Sequence, residues 1–262
     1  MHATFERLRR AHRAALIPFV MGGDPSLALT GPLLIALEDA GADVIEVGIP
    51  FSDPLADGPV IQAASARALA HGATPRRILG AIAAIRPRLR VPLVCLTYWN
   101  PVLQFGAGPA AFVRAVHQSG FSGIIVPDLP VEEGAPLRQA ASREGLATIF
   151  LAAPTSPPDR LRAIAKASEG FIYYVSVTGT TGVRRILPPE LFHGVRQLKL
   201  LTTKPVCVGF GISTPSQAAL VARVADGVIV GSALVRAIAG MRGRDSIVRA
   251  AASIVRRLRH AV

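Results

Sequence analysis

Lysine is scarce in this 262-residue chain: there are three, Lys166, Lys199 and Lys204. Periodicity puts the first two on helices and the third just before an apolar run. None stands where an apolar run gives way to a loop, so a Schiff-base mechanism, which needs a lysine at the substrate, is disfavoured. Cysteine is scarcer still, with Cys95 and Cys207 far apart, each inside an apolar run and without a CxxC pair. Two lone, core-type thiols fit a reducing compartment, and the cytoplasm is the expectation. The six histidines (His2, His12, His71, His117, His193 and His260) show no metal-ligand spacing, and no Cys/His or Asp/His cluster marks a catalytic metal. No GxGxxG follows the first apolar run. Aromatic residues make up 5% of the chain and lie in apolar runs and loops, away from the arginines. That distribution speaks against a nucleic-acid surface, where bases stack on aromatics set among the charges. No apolar run reaches membrane-spanning length. The stretch 14–21 that follows the basic start is too short for a signal peptide and contains Pro18. Nor is there a polar, Ser-rich or charged tract to serve as a linker, so residues 1–262 are expected to form one domain.

What is present is an even succession of two patterns. Eight apolar runs lie at 16–21, 44–47, 92–98, 123–126, 147–151, 171–175, 205–208 and 227–230. Between them, helical periodicity covers 27–40, 59–71 continuing to 74–86, 109–118, 133–144, 157–167, 188–200, 214–223 and 244–259. Alternating strand and helix predicts a parallel sheet with right-handed crossovers, and eight repeats favour a closed (β/α)8 TIM barrel. A helix near 3–12 should cap its lower end, and a short extra helix at 233–239 should precede the last one. The net charge is +12, and 26 of the 29 basic residues are arginine, denser at 7–13 and 256–259. Scattered over helices, they read as a solvated surface that helps collect anionic substrates.

In such a barrel the chemistry lies where strands end. The sequence from 43 to 62, DVIEVGIPFSDPLADGPVIQ, is the richest of these junctions. Glu46 interrupts a β-branched run, where a carboxylate is costly without a partner and its pKa should rise. The loop beyond it carries Asp53 and Asp57 among turn-forming glycines and prolines. A fixed strand acid followed by a loop acid is one reading. A hydrogen-bonded core glutamate and an aspartate that caps the helix starting near Pro59 is the other, and the residues alone leave both open. Later junctions, SVTGTTG at 176–182, GFGIS at 209–213 and GSA at 231–233, offer glycines whose backbone N–H groups could approach an anion closely. Gly211 precedes a helix and Gly231–Ser232 precedes the short extra one, the usual phosphate site of this fold, with Gly182 placed to close the cup. The polar, glycine- and proline-punctuated loops 50–58 and 178–187 are expected to cover the site and to be its least ordered parts.

IEVGIPFSDPLADGP resembles the signature of the tryptophan synthase alpha subunit family. The likeness runs the length of the chain, through IPFVMGGDP, TYWNPVLQFG, VPDLPVEE, YYVSVTGTTG, GFGIS and VGSA. It implies a (β/α)8 barrel that cleaves indole-3-glycerol phosphate to indole and glyceraldehyde 3-phosphate. It also implies no cofactor in this chain, and an αββα heterotetramer with a beta subunit that carries pyridoxal phosphate. Matched position by position, Glu46 is the family's acid–base glutamate and Asp57 its loop aspartate. Tyr173 lies near the reacting end, and Thr181 helps order the aspartate. Gly182, Gly211, Gly231 and Ser232 form the phosphate cup, and Phe19, Leu96, Leu151 and Phe210 the apolar walls around indole. The run VRRILPPEL after Gly182 departs from the family's pattern in its two adjacent arginines. Other phosphate-binding barrels, a non-catalytic partner that only activates a beta subunit, and a stand-alone indole-releasing lyase are the alternatives.

Overall fold

The structure is a computed structural model that describes residues 1–175, 187–209 and 211–262. Nine strands follow one another: β1 (Ala15–Met21), β2 (Ile45–Gly48), β3 (Leu93–Leu96), β4 (Gly123–Ile125), β5 (Ala147–Ile149), β6 (Leu151–Ala152), β7 (Ile172–Val175), β8 (Val206–Gly209) and β9 (Gly227–Val230). All pair in parallel, in the order β5-β4-β3-β2-β1-β9-β8-β7-β6. The single strand expected at 147–151 is two pieces. β5 pairs with β4, whereas β6 pairs with β7. Between them Phe150 leaves the regular ladder, its N–H donating to Ser168 Oγ at 3.3 Å and its carbonyl accepting from Tyr173 N at 3.1 Å. The two ends of the sheet are therefore consecutive in the chain, and the sheet closes into a barrel with eight strand positions. The fold is a (β/α)8 barrel.

The strands are buried on both faces, as a barrel wrapped in helices requires. Every residue of β1, β2 and β3 is buried. Among the described residues six helices open on proline at their first position: Pro59, Pro75, Pro109, Pro158, Pro189 and Pro215. Proline there has a suitable φ and lacks only an N–H that would have no helical partner anyway. The extra helix occupies Ser232–Ala239 and the last one Arg244–Arg259. A further short helix, Trp99–Gln104, lies where the sequence reads as loop. Its proline, Pro101, falls in the first turn, so it breaks no helical bond.

The lower end of the barrel is closed by side-chain bonds. The N-terminal helix His2–Arg10 lies there, with the Phe5 ring 5.9 Å from that of Phe171 at the foot of β7. Asp43, just ahead of β2, is 7% exposed. Its carboxylate accepts from Leu16 N–H at 3.0 Å and from the Arg259 guanidinium, with Arg7 3.6 Å away. Lys204 donates to the carbonyls of Ala165, Lys166 and Ser168 at 2.8, 3.1 and 2.6 Å, closing the end of the helix Pro158–Ala167. Lys199 pairs with Asp226 at 2.7 Å.

Candidate active site

The register of the first three strands sets Phe19, Glu46 and Val94 abreast. Glu46 thereby enters the barrel near its upper end, 1% exposed. Its Oε2 has no hydrogen-bond partner among the described residues. Burial, reinforced by the negative charge of Asp57, pushes its pKa up to about 8. A carboxyl held this way is largely protonated at neutral pH and ready to give a proton.

Asp57 reaches the same space from the loop after β2. It is 9% exposed, and burial raises its pKa to about 6, against the opposing effect of a hydrogen bond from Tyr98. At neutral pH it is mostly ionised, so the two carboxyls differ in protonation while sharing a site. The helix Pro59–Ala70 takes Gly58, not Asp57, at its N-cap, with no side-chain capping bond. The capping explanation of Asp57 thus finds no support in the geometry. The backbone of the loop is tied down at several points. Asp57 N–H donates to Pro54 O at 3.0 Å, Gln62 Nε2 donates to Asp57 O at 2.9 Å, and Phe51 and Ser65 exchange two bonds of 2.8 Å. The helix itself is anchored to the end of β1, where Arg67 grips the buried Asp24 with two bonds of 2.8 Å.

Glu46 and Asp57 line one cleft of about 400 Å³, including the part open to solvent. Of the residues expected at the site, Phe19, Leu96, Tyr173, Gly211, Gly231 and Ser232 line it with them. Leu151 stands in register with Tyr173 and so leaves the sheet on the same face, and it also borders a neighbouring hollow with residues 127–131 and Phe150. Thr181, Gly182 and Phe210 lie outside the described residues, as does the VRRI run at 183–186. Two wall residues escaped the sequence reading, Ile61 on the helix after the loop and Ile229 on β9. Ile229 carried a signal, since strand alternation puts it on the same face as Gly231. Tyr98, the partner of Asp57, also escaped, although it lies inside the TYWNPVLQFG stretch.

The glycines fit the site in two ways. A Cβ on Gly209 would stand 2.2 Å from the Tyr173 hydroxyl oxygen, so the tyrosine reaches its place only because nothing projects there. Gly211 has φ +81°, where other residues are strained. Gly231 is the N-cap of Ser232–Ala239, so that helix directs its unpaired N–H groups and positive dipole end into the cleft. The site thus combines a neutral buried acid, an ionised loop acid, apolar walls and an anion-binding end. Among the described residues no group of three or more His, Cys, Asp or Glu side chains could hold a metal ion, and no helix is long and apolar enough to cross a membrane.

Comparison with known proteins gives a consistent result. The sequence pattern of the family described as tryptophan synthase alpha chain matches residues 5–262. The tryptophan synthase alpha chain of Gloeobacter violaceus is 52% identical over 236 residues, covering 90% of this chain and 85% of the relative. That of Carboxydothermus hydrogenoformans is 51% identical over 234 residues, covering 89% and 87%. Among solved structures, tryptophan synthase of Mycobacterium tuberculosis superposes with a TM-score of 0.89 at 40% identity, covering 99% of this chain and 96% of that one. The alpha subunit from Legionella pneumophila superposes with the same TM-score, 0.89, at 36% identity, covering 99% and 97%.

Proposed function

The chain belongs to the tryptophan synthase alpha chain family, and from that premise we propose that Glu46 and Asp57 are its acid–base pair. The protein is a carbon–carbon lyase that cleaves indole-3-glycerol phosphate to indole and glyceraldehyde 3-phosphate in tryptophan biosynthesis. The observation that carries the assignment is the pairing of two buried carboxyls in one cleft, no cation beside Glu46 among the described residues, and one pKa raised to about 8 while the other is about 6.

The steps follow from those protonation states. Glu46, neutral at pH 7, donates its proton to indole C3. The ring becomes an iminium whose N–H carries the positive charge, and the ionised Asp57 stabilises it there. The Glu46 carboxylate then takes the proton of the adjacent glycerol hydroxyl. As that oxygen forms the aldehyde carbonyl, the bond to C3 breaks and its electrons return to the ring, releasing indole. Glu46 ends protonated, as it began. Positioned proton transfers of this kind contribute roughly 100- to 10,000-fold each. In this reading Phe19, Leu96, Ile61 and Ile229 hold the indole, Tyr173 stands near the reacting end, and Gly211, Gly231 and Ser232 receive the phosphate. Leu151, Thr181, Gly182 and Phe210 keep the roles the resemblance gives them.

Residues 1–262 are read as one domain, cytoplasmic and without a cofactor of its own. A beta subunit is the partner that the family's name implies, and we read the assembly as αββα with pyridoxal phosphate on the beta side. The test is direct. The purified chain, alone and with a beta subunit, is given indole-3-glycerol phosphate, and indole and triose phosphate are assayed. Equimolar release is expected, and no release under either condition would overturn the pair's assignment. The mass of the mixed complex in solution tests the stoichiometry.

A further inference from the structure

Tyr98 is buried beside the site, 2% exposed, yet does not line the cleft. It follows β3, and its phenol oxygen accepts the Ala56 N–H at 3.1 Å while its hydroxyl bonds the Asp57 carboxylate. We propose that Tyr98 is a positioning residue for the lyase reaction: its hydroxyl ties the Asp57 carboxylate to the loop backbone at Ala56 and so holds it, ionised, at the edge of the cleft. This rests on the assignment of Asp57 above.

The geometry argues for the hydroxyl and not merely for the ring. A phenol has one proton to give. With Ala56 N–H already directed at its oxygen, that proton goes to the carboxylate, and one hydroxyl joins two consecutive residues of the loop. Asp57 Oδ2 is buried and has no hydrogen-bond partner among the described residues, so Tyr98 is the side chain that holds this carboxylate. Tyr98 is itself braced on both sides. Its ring lies against Phe51 at 5.5 Å between centroids, and Phe51 is tied to Ser65 of the following helix. The next residue, Trp99, donates its N–H to the Asp128 carboxylate at 2.9 and 3.2 Å. Packing alone would be served equally well by phenylalanine.

The titratable groups facing Asp57 among the described residues are Glu46 on β2, Tyr98 after β3 and Tyr173 on β7, with Asp128 acting on Tyr98 from the loop after β4. None of the four is a cation. The hydrogen bond from Tyr98 favours the ionised form of Asp57 against its burial. Removing the hydroxyl should therefore move Asp57 titration to higher pH.

Tyr98→Phe, assayed in the full chain with saturating beta subunit, tests this. We expect kcat to fall about 10- to 100-fold, as for a misplaced catalytic group, with KM changed less than about threefold. The acidic limb of the kcat profile should move to higher pH. Carbon-13 NMR of the Asp57 carboxyl should show the same displacement without turnover. An unmoved limb and an unmoved NMR titration would overturn the proposal, whatever happened to kcat, because a lost packing contact would explain any loss. The parent assignment fails separately: an Asp57→Asn enzyme with normal turnover would remove the chemistry from Asp57, while the NMR titration would still report whether Tyr98 holds it.

Discussion

Asp43 and Glu46 stand three residues apart on one stretch of chain, both buried, and the protein treats them oppositely. Asp43 faces the lower rim, where Arg259, Arg7 and the Leu16 N–H surround it. Glu46 faces the upper cleft, where its nearest charged influence is another carboxylate. Asp24 and Asp226 follow Asp43, each with a cation in contact, Arg67 and Lys199. Burial does not separate a structural carboxylate from a chemical one; the partner does. A guanidinium and an N–H hold the Asp43 carboxylate by direct bonds and leave it a structural tie. Leaving the cation out keeps the proton in place and available.

The sharpest way to break this comparison is Glu46→Gln. It keeps size and some hydrogen bonding but holds no transferable proton, so indole release should fall at least about 1,000-fold, near 4 kcal/mol of barrier. Turnover above a tenth of the parent's would remove Glu46 from the chemical class. The same variant reads the cost of the missing cation. Because Glu46 has a folded-state pKa raised to about 8 from an ordinary 4.5, its stabilising contribution is complete below pH 4.5 and lost as pH rises through about 8. Chemical denaturation from pH 5 to 9 should show the parent losing a few kcal/mol more than Glu46→Gln.

The opposite rim should give the opposite result. Arg259→Met leaves Asp43 buried without its nearest cation, which should cost roughly 3 kcal/mol of stability. The turnover of the folded enzyme should stay within about twofold. A large loss of turnover at constant stability would show that the two ends are not functionally separate.

Asp57→Asn comes next in size. An about 100-fold fall in kcat, about 2.7 kcal/mol, is expected with KM nearly unchanged, since the interaction forms mainly in the transition state. Near-normal turnover would move Asp57 to the side of Asp43.

The smallest effects concern the cup. A Cβ at Gly231 would lie 3.5 Å from Phe19, an ordinary contact, so Gly231→Ala should cost less than about 0.5 kcal/mol of stability. Gly211→Ala, at φ +81°, should cost about 1–2 kcal/mol. Both should weaken glycerol phosphate more than an unphosphorylated indole, as ligand titration would show. Equal losses would make these glycines structural.

The barrel was legible because its strands are short, mainly apolar runs separated by clear helical periods. The exception is instructive: nothing in the run at 147–151 shows that Phe150 leaves the ladder, because the ladder changes partner strand there, which is a fact about β4 and β7. Glu46 could be singled out locally, as a charge in a β-branched run. Its freedom from cations could not, since that depends on where Arg67 and Arg259 go. Whether Asp57 caps a helix was likewise undecidable from ADGP alone, because Gly58 and Asp57 are both acceptable caps. Tyr98 was hidden for the same reason: its partners lie 41 and 42 positions earlier.

The bond between Asp43 and Arg259 joins positions 216 apart, and this has a meaning in time as well as in space. During synthesis the aspartate emerges long before its main counter-ion. At about 5–20 residues per second the interval is about 10–40 s. Throughout it the segment just ahead of β2 carries a carboxylate that lacks its nearest cation and has only Leu16 N–H and Arg7 to meet it. The bond that completes this part of the lower rim cannot form until residue 259 has been made.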